Sequence, residues 1–267
     1  MLQRFIIFSL ALFCTLFLPS ADAHAAIGCT LSNPALDLKY VYPDMTSYKE
    51  EVFTFSSLKD GKTLFSSLEP RLGTALDPVY DSFETPFTVY SVFRGEERIG
   101  IIHGVNMPGK GGVIQLFLAI DPVQRSIKQL FFQRLESSDA KTLRSSSFRN
   151  QFSSITLADW YMHDFYAAKG DQEDRDRITK IRLPEGLSRS GTEDYSTIMR
   201  GVRKNLLLLD IFLFEQTESV RGASPQTAHR TVRDSLPSYG SSYATYGRIM
   251  TAPPVCEQPG LLVFNPC

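Results

Sequence analysis

Three glycines in the stretch "NMPGKGGVI", Gly109, Gly111 and Gly112, could bring backbone N–H groups close to a planar ring or a phosphate. Ser190 and Thr192 form a second candidate set, because they stand before a long apolar helical pattern, where the helix dipole favours an anion. Together the two sets would suit a phosphate-bearing ligand. Each also has a structural alternative: a glycine turn often only joins two strands, and a hydroxyl before a helix often only caps it.

Strand patterns flank the glycine turn on both sides. The segments "FTVYSVF" and "RIGIIHGV", separated by "RGEE", predict a hairpin that leads into the turn. After the turn, "GGVIQLFLAI" and "IKQLFFQRLES", joined by "DPVQRS", predict two further strands. The sequence therefore predicts an antiparallel meander with the glycines between its second and third strands.

Two helices are predicted to pack on this sheet. Phe148 and Phe152 lie four residues apart behind a serine cap in "SSSFRNQFSS", which favours a short helix. The segment "TIMRGVRKNLLLLDIFLFEQ" favours a long helix that is apolar on nearly all sides from Leu206 to Phe214. That apolar part is too short to cross a bilayer and is expected in the core. The predicted fold class is α+β, an antiparallel sheet packed by two helices.

The first 25 residues are typical of a secretory signal peptide. Arg4 is followed by the apolar run "FIIFSLALFCTLFLP" and then by the small residues around Ala23 and Ala25. Cleavage after Ala25 would leave about 240 residues, enough for a domain with a hydrophobic core. We therefore expect a periplasmic or secreted protein with no transmembrane segment in the mature chain.

The cysteines leave two questions of modification open. Cys29 could carry a lipid anchor, which is the alternative localisation, although a polar stretch separates it from the apolar run. Cys256 and Cys267 close a short loop that contains proline and glycine, and we expect them to form a disulfide bond. A bridge from Cys29 to either tail cysteine is the alternative. No paired CxxC spacing is present, so no metal site is predicted.

The composition argues against nucleic-acid binding, and it distinguishes the regions on either side of the predicted domain. With 28 Lys plus Arg against 29 Asp plus Glu and no basic cluster, nucleic-acid binding is not expected. Residues 26–85 mix turn formers with short apolar groups and are expected to be irregular, and residues 219–267 form a Tyr/Pro-rich extension. His103 and His163, each among apolar or aromatic residues, are expected to be structural.

The order of these elements resembles the FMN-binding domain of the periplasmic subunits of sodium-pumping NADH:quinone reductases and related electron-transfer complexes. The resemblance covers about residues 88–215, and the domain is placed at 86–218. It rests on a glycine turn, a strand that ends in Asp-Pro, a Glu-Ser pair and a "FRNQF" helix: Gly109, Gly111, Gly112, Ile114, Asp121, Pro122, Glu136, Ser137 and Phe148–Phe152.

The family's later Ser-Gly-Ala-Thr-x-Thr-Ser signature is matched in part. In many members its first threonine carries FMN through a phosphoester. Laid on without gaps, Ser190, Gly191 and Ser196 match, whereas Thr192 stands at the alanine, Glu193 at the acceptor threonine and Tyr195 at the second threonine. A carboxylate cannot form the ester by hydroxyl chemistry. Covalent attachment would need a one-residue shift that uses Thr192, and the favoured expectation is that any flavin is non-covalent. Glu193 and Asp194 are expected to cap the helix.

The resemblance implies a flavoprotein in extracytoplasmic electron transport or its regulation. FMN would be the cofactor and would perform the chemistry, so no catalytic side chain is predicted. The cofactor-binding residues would be Asn106, Gly109, Gly111, Gly112, Ser190, Gly191, Thr192 and Ser196. The expected partners are membrane-bound redox or assembly proteins. The alternative is a non-flavin binding or assembly module that kept the fold.

Overall fold

The computed structural model describes residues 28–170 and 174–215. The predicted signal peptide, the Tyr/Pro-rich extension and the Cys256–Cys267 disulfide lie outside the described residues, and those predictions stay untested. Cys29 is described, and its thiol is buried.

In the described part of the chain, five antiparallel strands form one sheet in the order in which they occur in the sequence. Their bounds are β1 Ser47–Phe53, β2 Phe87–Arg94, β3 Glu97–Pro108, β4 Val113–Asp121 and β5 Ser126–Leu135. The predicted four-strand meander corresponds to β2 through β5. Its register places His103 of β3 between Val89 of β2 and Leu118 of β4.

Helices and loops lie on both sides of this sheet. Their bounds are α1 Pro34–Val41, α2 Gly61–Ser66, α3 Leu68–Leu72, α4 Ala140–Leu143, α5 Ser146–Arg149, α6 Leu157–Lys169 and α7 Arg189–Leu209. One core cluster joins α7 to the sheet through residues such as Val105, Leu116 and Leu207. A second cluster joins Cys29 and α1 to Tyr90 and Phe117. Because both faces are covered, the central strands are apolar almost throughout.

The region 26–85, which was expected to be irregular, contributes an edge strand and three short helices. Strand β1 has the sequence "SYKEEVF", and most of its residues are exposed. Charged residues are common on edge strands because they discourage pairing with other chains, and here they hide the strand from a search for apolar patterns. The sheet therefore begins well before residue 86.

The α+β fold class is confirmed, with more helices than the two predicted. The short helix is α5, which continues as a 3-10 turn over Asn150–Phe152, and the long helix is α7. Helix α6 was not predicted, although a capping box marks its start: Thr156 accepts a hydrogen bond from Asp159 N, and the Asp159 carboxylate accepts one from Thr156 N.

Helix α7 continues as a π-helical segment over Asp210–Glu215, and its second half is the most buried helical surface described. Leu206 through Leu209, Ile211 and Phe212 have almost no exposed surface, which confirms their predicted core position. Over residues 28–170 and 174–215, no helix combines the length and the apolar character that a membrane span requires.

Candidate functional site

The fold brings the two predicted halves of the site into direct contact. The glycine turn that joins β3 to β4 lies against the second turn of α7. Lys110 N donates a hydrogen bond to Asp194 Oδ1 at 2.7 Å, and Lys110 Nζ lies 2.6 Å from Glu193 Oε2. Glu193 and Asp194 were expected to cap the helix; instead they bind the glycine turn.

The space beside Gly112 is filled by the protein itself. Gly112 has a φ of 137°, and a Cβ built there would lie 1.6 Å from Glu136 Oε2. The same carboxylate accepts a hydrogen bond from Val113 N at 3.0 Å. A Cβ on Gly111 would lie 2.5 Å from Glu136 O. The glycines therefore let the chain that follows β5 approach the turn.

The start of α7 is closed in the same way by Asp139. Ser188 is the N-cap, and its Oγ accepts a hydrogen bond from Gly191 N at 3.0 Å and donates one to Asp139 Oδ2 at 2.5 Å. A Cβ on Gly191 would lie 2.1 Å from the same Asp139 oxygen. A carboxylate of the chain thus lies where the helix dipole favours an anion.

The remaining predicted residues make internal hydrogen bonds. Thr192 Oγ1 donates to Ser188 O and Ser196 Oγ donates to Thr192 O, each one turn back along the helix. Ser190 Oγ lies 3.0 Å from Ser138 Oγ. Asn106 lies on β3, where its side-chain amide donates to Gly28 O at 2.9 Å, so its amide group is tied to the start of the described chain.

These surroundings do not suit a phosphate group. The carboxylates of Glu136, Asp139, Glu193 and Asp194 all contact the glycine turn or the first turn of α7. The hydrogen bond and charge of Lys110 lower the pKa of Glu193, and the hydrogen bond from Ser188 lowers the pKa of Asp139. Both stay ionised at neutral pH. Glu193 is paired with Lys110 and Arg189, and Glu136 is paired with Arg134. Asp139 and Asp194 form no ion pair with the described residues and would repel a phosphate.

A second polar group, which the sequence did not reveal, is buried on the other half of α7. Lys204 forms an ion pair with Asp81, and both side chains are almost fully buried. Lys204 Nζ also donates to Asn106 O at 3.3 Å. Burial lowers the pKa of Lys204, and the Asp81 carboxylate opposes that shift. The charged amine is held by an acid from the loop that precedes β2.

Next to it, His103 is completely buried against α7. Its Nδ1 lies 3.0 Å from Asn205 Oδ1, while Asn205 Nδ2 donates to His103 O at 2.8 Å. Because the amide nitrogen is the donor in the second bond, Nδ1 carries the proton in the first. Burial lowers the pKa of His103 to about 4, so the ring is neutral. The prediction that His103 is structural agrees with this packing.

One sequence signal could have found this group. The polar triplet Arg203, Lys204 and Asn205 stands directly before an apolar run, at positions that a nearly all-apolar helix must bury. Charged residues at buried helical positions require partners, and the acid at Asp81 is 123 residues away in the sequence. Their pairing is therefore visible only in the folded chain.

No protein-family model matches this chain, and no curated protein matches it. The resemblance to the FMN-binding domain therefore rests on the residues named above. Flavin binding stays a prediction.

Proposed function

We propose that this chain is an exported binding or assembly module that keeps the sheet-and-helix scaffold and does not hold FMN at its glycine turn. The export and the placement outside the cytoplasm rest on the signal-like first 25 residues. Between the two functions that the resemblance allows, the non-flavin module is the better supported.

The observation that carries the proposal is the set of four carboxylates around the glycine turn. A flavin phosphate brings further negative charge, and it would have to displace Asp139 from Ser188 or Glu136 from Val113 N. Either change takes from the displaced carboxylate a hydrogen bond that it now accepts and leaves its charge close to the phosphate. Glu193 is engaged with Lys110, so the position of the acceptor threonine already has an internal role.

A fluorescence titration of the full chain with FMN tests the proposal. We expect no saturable quenching up to about 100 μM FMN, which is the range for a specific cofactor site. Saturable binding at one flavin per chain would overturn the proposal.

Two glycine variants would then locate the flavin. Gly112→Val fills the space beside Glu136, whereas Gly95→Val lies in the β2–β3 turn, where an added Cβ meets nothing within 4 Å. Loss of FMN binding in the Gly112 variant alone would restore the prediction that the glycine turn is the flavin site.

A further inference from the structure

A small cavity lies between α7, the end of β3 and the loop 72–81. Its volume is about 200 Å³. That equals the space of about seven water molecules and is below the range of pockets that bind drug-sized ligands. It shares no lining residue with the carboxylates around the glycine turn, so the inference that follows goes beyond the proposed function.

At the floor of the cavity, one positive and one negative charge already neutralise each other. Lys204 and Asp81 form the buried ion pair, and Asp81 Oδ2 accepts a further hydrogen bond from Asp77 N at 3.0 Å. The floor is therefore polar but carries no net charge.

At the sides of the cavity, one cation and one anion form no direct ion pair with the described residues, although the charge of the anion, Asp77, also acts on Lys204. Arg200 precedes Lys204 by one helical turn and is half-buried, and its guanidinium makes neither a hydrogen bond nor an ion pair with the described residues. Asp77 accepts hydrogen bonds from Val79 N and Tyr80 N through Oδ1, which leaves Oδ2 available.

Apart from Thr74, the rest of the wall is apolar and comes from Leu72, Ala75, Leu76, Pro78, Met107 and Pro108. A simple anion would face the carboxylates of Asp77 and Asp81, and a simple cation would face Arg200 and Lys204. A molecule that carries both charges on a small apolar body avoids both repulsions.

We propose that this cavity binds a small zwitterion with an apolar body, of which an apolar α-amino acid is the simplest form. Its carboxylate pairs with Arg200, its ammonium group pairs with Asp77, and its side chain contacts the apolar wall. Arg200 and Asp77 are thus binding residues, and the Lys204–Asp81 pair holds the floor in place.

Calorimetric titration of the full chain with three probes tests the proposal. L-Leucine carries both charges, 4-methylpentanoate lacks the ammonium group, and 3-methylbutylamine lacks the carboxylate. We expect leucine to bind with a dissociation constant below about 1 mM and each analogue to bind at least about tenfold more weakly. The comparison needs no variant and is independent of any FMN titration.

Two variants assign the charges to residues. Arg200→Gln is expected to weaken leucine and 4-methylpentanoate but not the amine, and Asp77→Asn is expected to weaken leucine and the amine but not the acid. The matched controls are Arg189→Gln, on the exposed first turn of the same helix, and Glu51→Gln on β1, and neither should change leucine binding. Three outcomes would overturn the proposal. One is that leucine does not bind at about 10 mM, ten times the expected upper limit of the dissociation constant. The others are that both cavity variants bind leucine as the wild type does, or that 4-methylpentanoate binds as tightly as leucine.

Discussion

The N-terminal part of helix α7 and its buried half place charged side chains in opposite environments. In the second turn, Glu193 pairs with Lys110 at the surface, with about half of each side chain exposed. Three turns later, Lys204 pairs with Asp81 almost out of contact with water. Both contacts join α7 to a loop, and the residues are of the same chemical types. The two ion pairs therefore differ mainly in how much water surrounds them.

This contrast predicts where a change of charge will alter the stability of the fold. An exposed pair gains little, because water screens the attraction and the side chains lose freedom when they pair. A buried pair also gains little compared with apolar residues, but losing one partner strands the other charge without water. Glu193 and Lys110 lie in the two segments that the sequence marks as a candidate site. Substitution in the buried Lys204–Asp81 pair should nevertheless reduce the stability of the fold most.

Replacement of Lys204 by methionine is the largest expected effect. Methionine keeps the length of the side chain but leaves the Asp81 carboxylate buried and unpaired, and we expect unfolding in urea to require about 3–5 kcal/mol less. The double variant Lys204→Met with Asp81→Asn should recover much of the loss. Lys49→Met, in an exposed pair with Glu51, is the control and should cost no more than about 1 kcal/mol. A loss for Lys204→Met as small as that of the control would remove the contrast between the two regions.

His103, which is buried next to Lys204, makes the stability of the buried region depend on pH. Its pKa is lowered from 6.5 to about 4 by burial, so the unfolded chain takes up the proton first as the pH falls. The stability contributed by the neutral ring is complete above about pH 6.5 and is lost progressively toward pH 4, about 3 kcal/mol in all.

Urea unfolding of the wild type and His103→Gln at several pH values between 7.5 and 4 measures this contribution. The wild type should lose more stability over the range than the variant does. His163→Gln, in the other described histidine, is the control. Parallel curves for the wild type and His103→Gln would show that the ring does not couple folding to pH.

Gly112→Ala tests the glycine turn that packs against α7, and we expect it to have the smallest effect on stability. The backbone at a φ of 137° disfavours a side chain, and the added Cβ collides with Glu136, so we expect a loss of about 1–3 kcal/mol in urea unfolding. Adding Glu136→Ala to this variant should relieve the collision but not the backbone strain. Gly95→Ala, which has a positive φ but open space, should lose less. Equal losses for Gly112→Ala and Gly95→Ala would show that Glu136 adjusts without cost.

Much of the fold was predictable because local patterns coincide with tertiary burial. The strands β2 to β5 carry apolar and β-branched runs separated by turn residues, and the apolar half of α7 is equally plain. Strand β1 was missed because its side chains face water, and α6 was missed because only its capping box marks its start.

The segments that form the candidate site were predictable from the sequence, but the side chains that fill it were not. The glycines do form a turn, and the fold brings them to the start of the long helix. That helix begins at Arg189, two turns before the predicted Thr197, so Ser190 and Gly191 lie within it and not in a preceding turn. Glu136 and Asp139, which fill the space beside those glycines, come from the segment after β5. Nothing in the local sequence shows which side chain will lie against a glycine.

The amino-acid pattern alone predicts the α+β class, the meander, the core position of α7 and the two segments that meet at the glycine turn. These features follow from periodicity and turn chemistry, which are local. The folded chain is needed to show that carboxylates fill the turn, that Lys204 reaches Asp81, and that Arg200 and Asp77 line one cavity. Such contacts join residues at least 23 positions apart in the sequence. The electrostatics of a charged side chain also depends on the water and the partners that folding leaves around it.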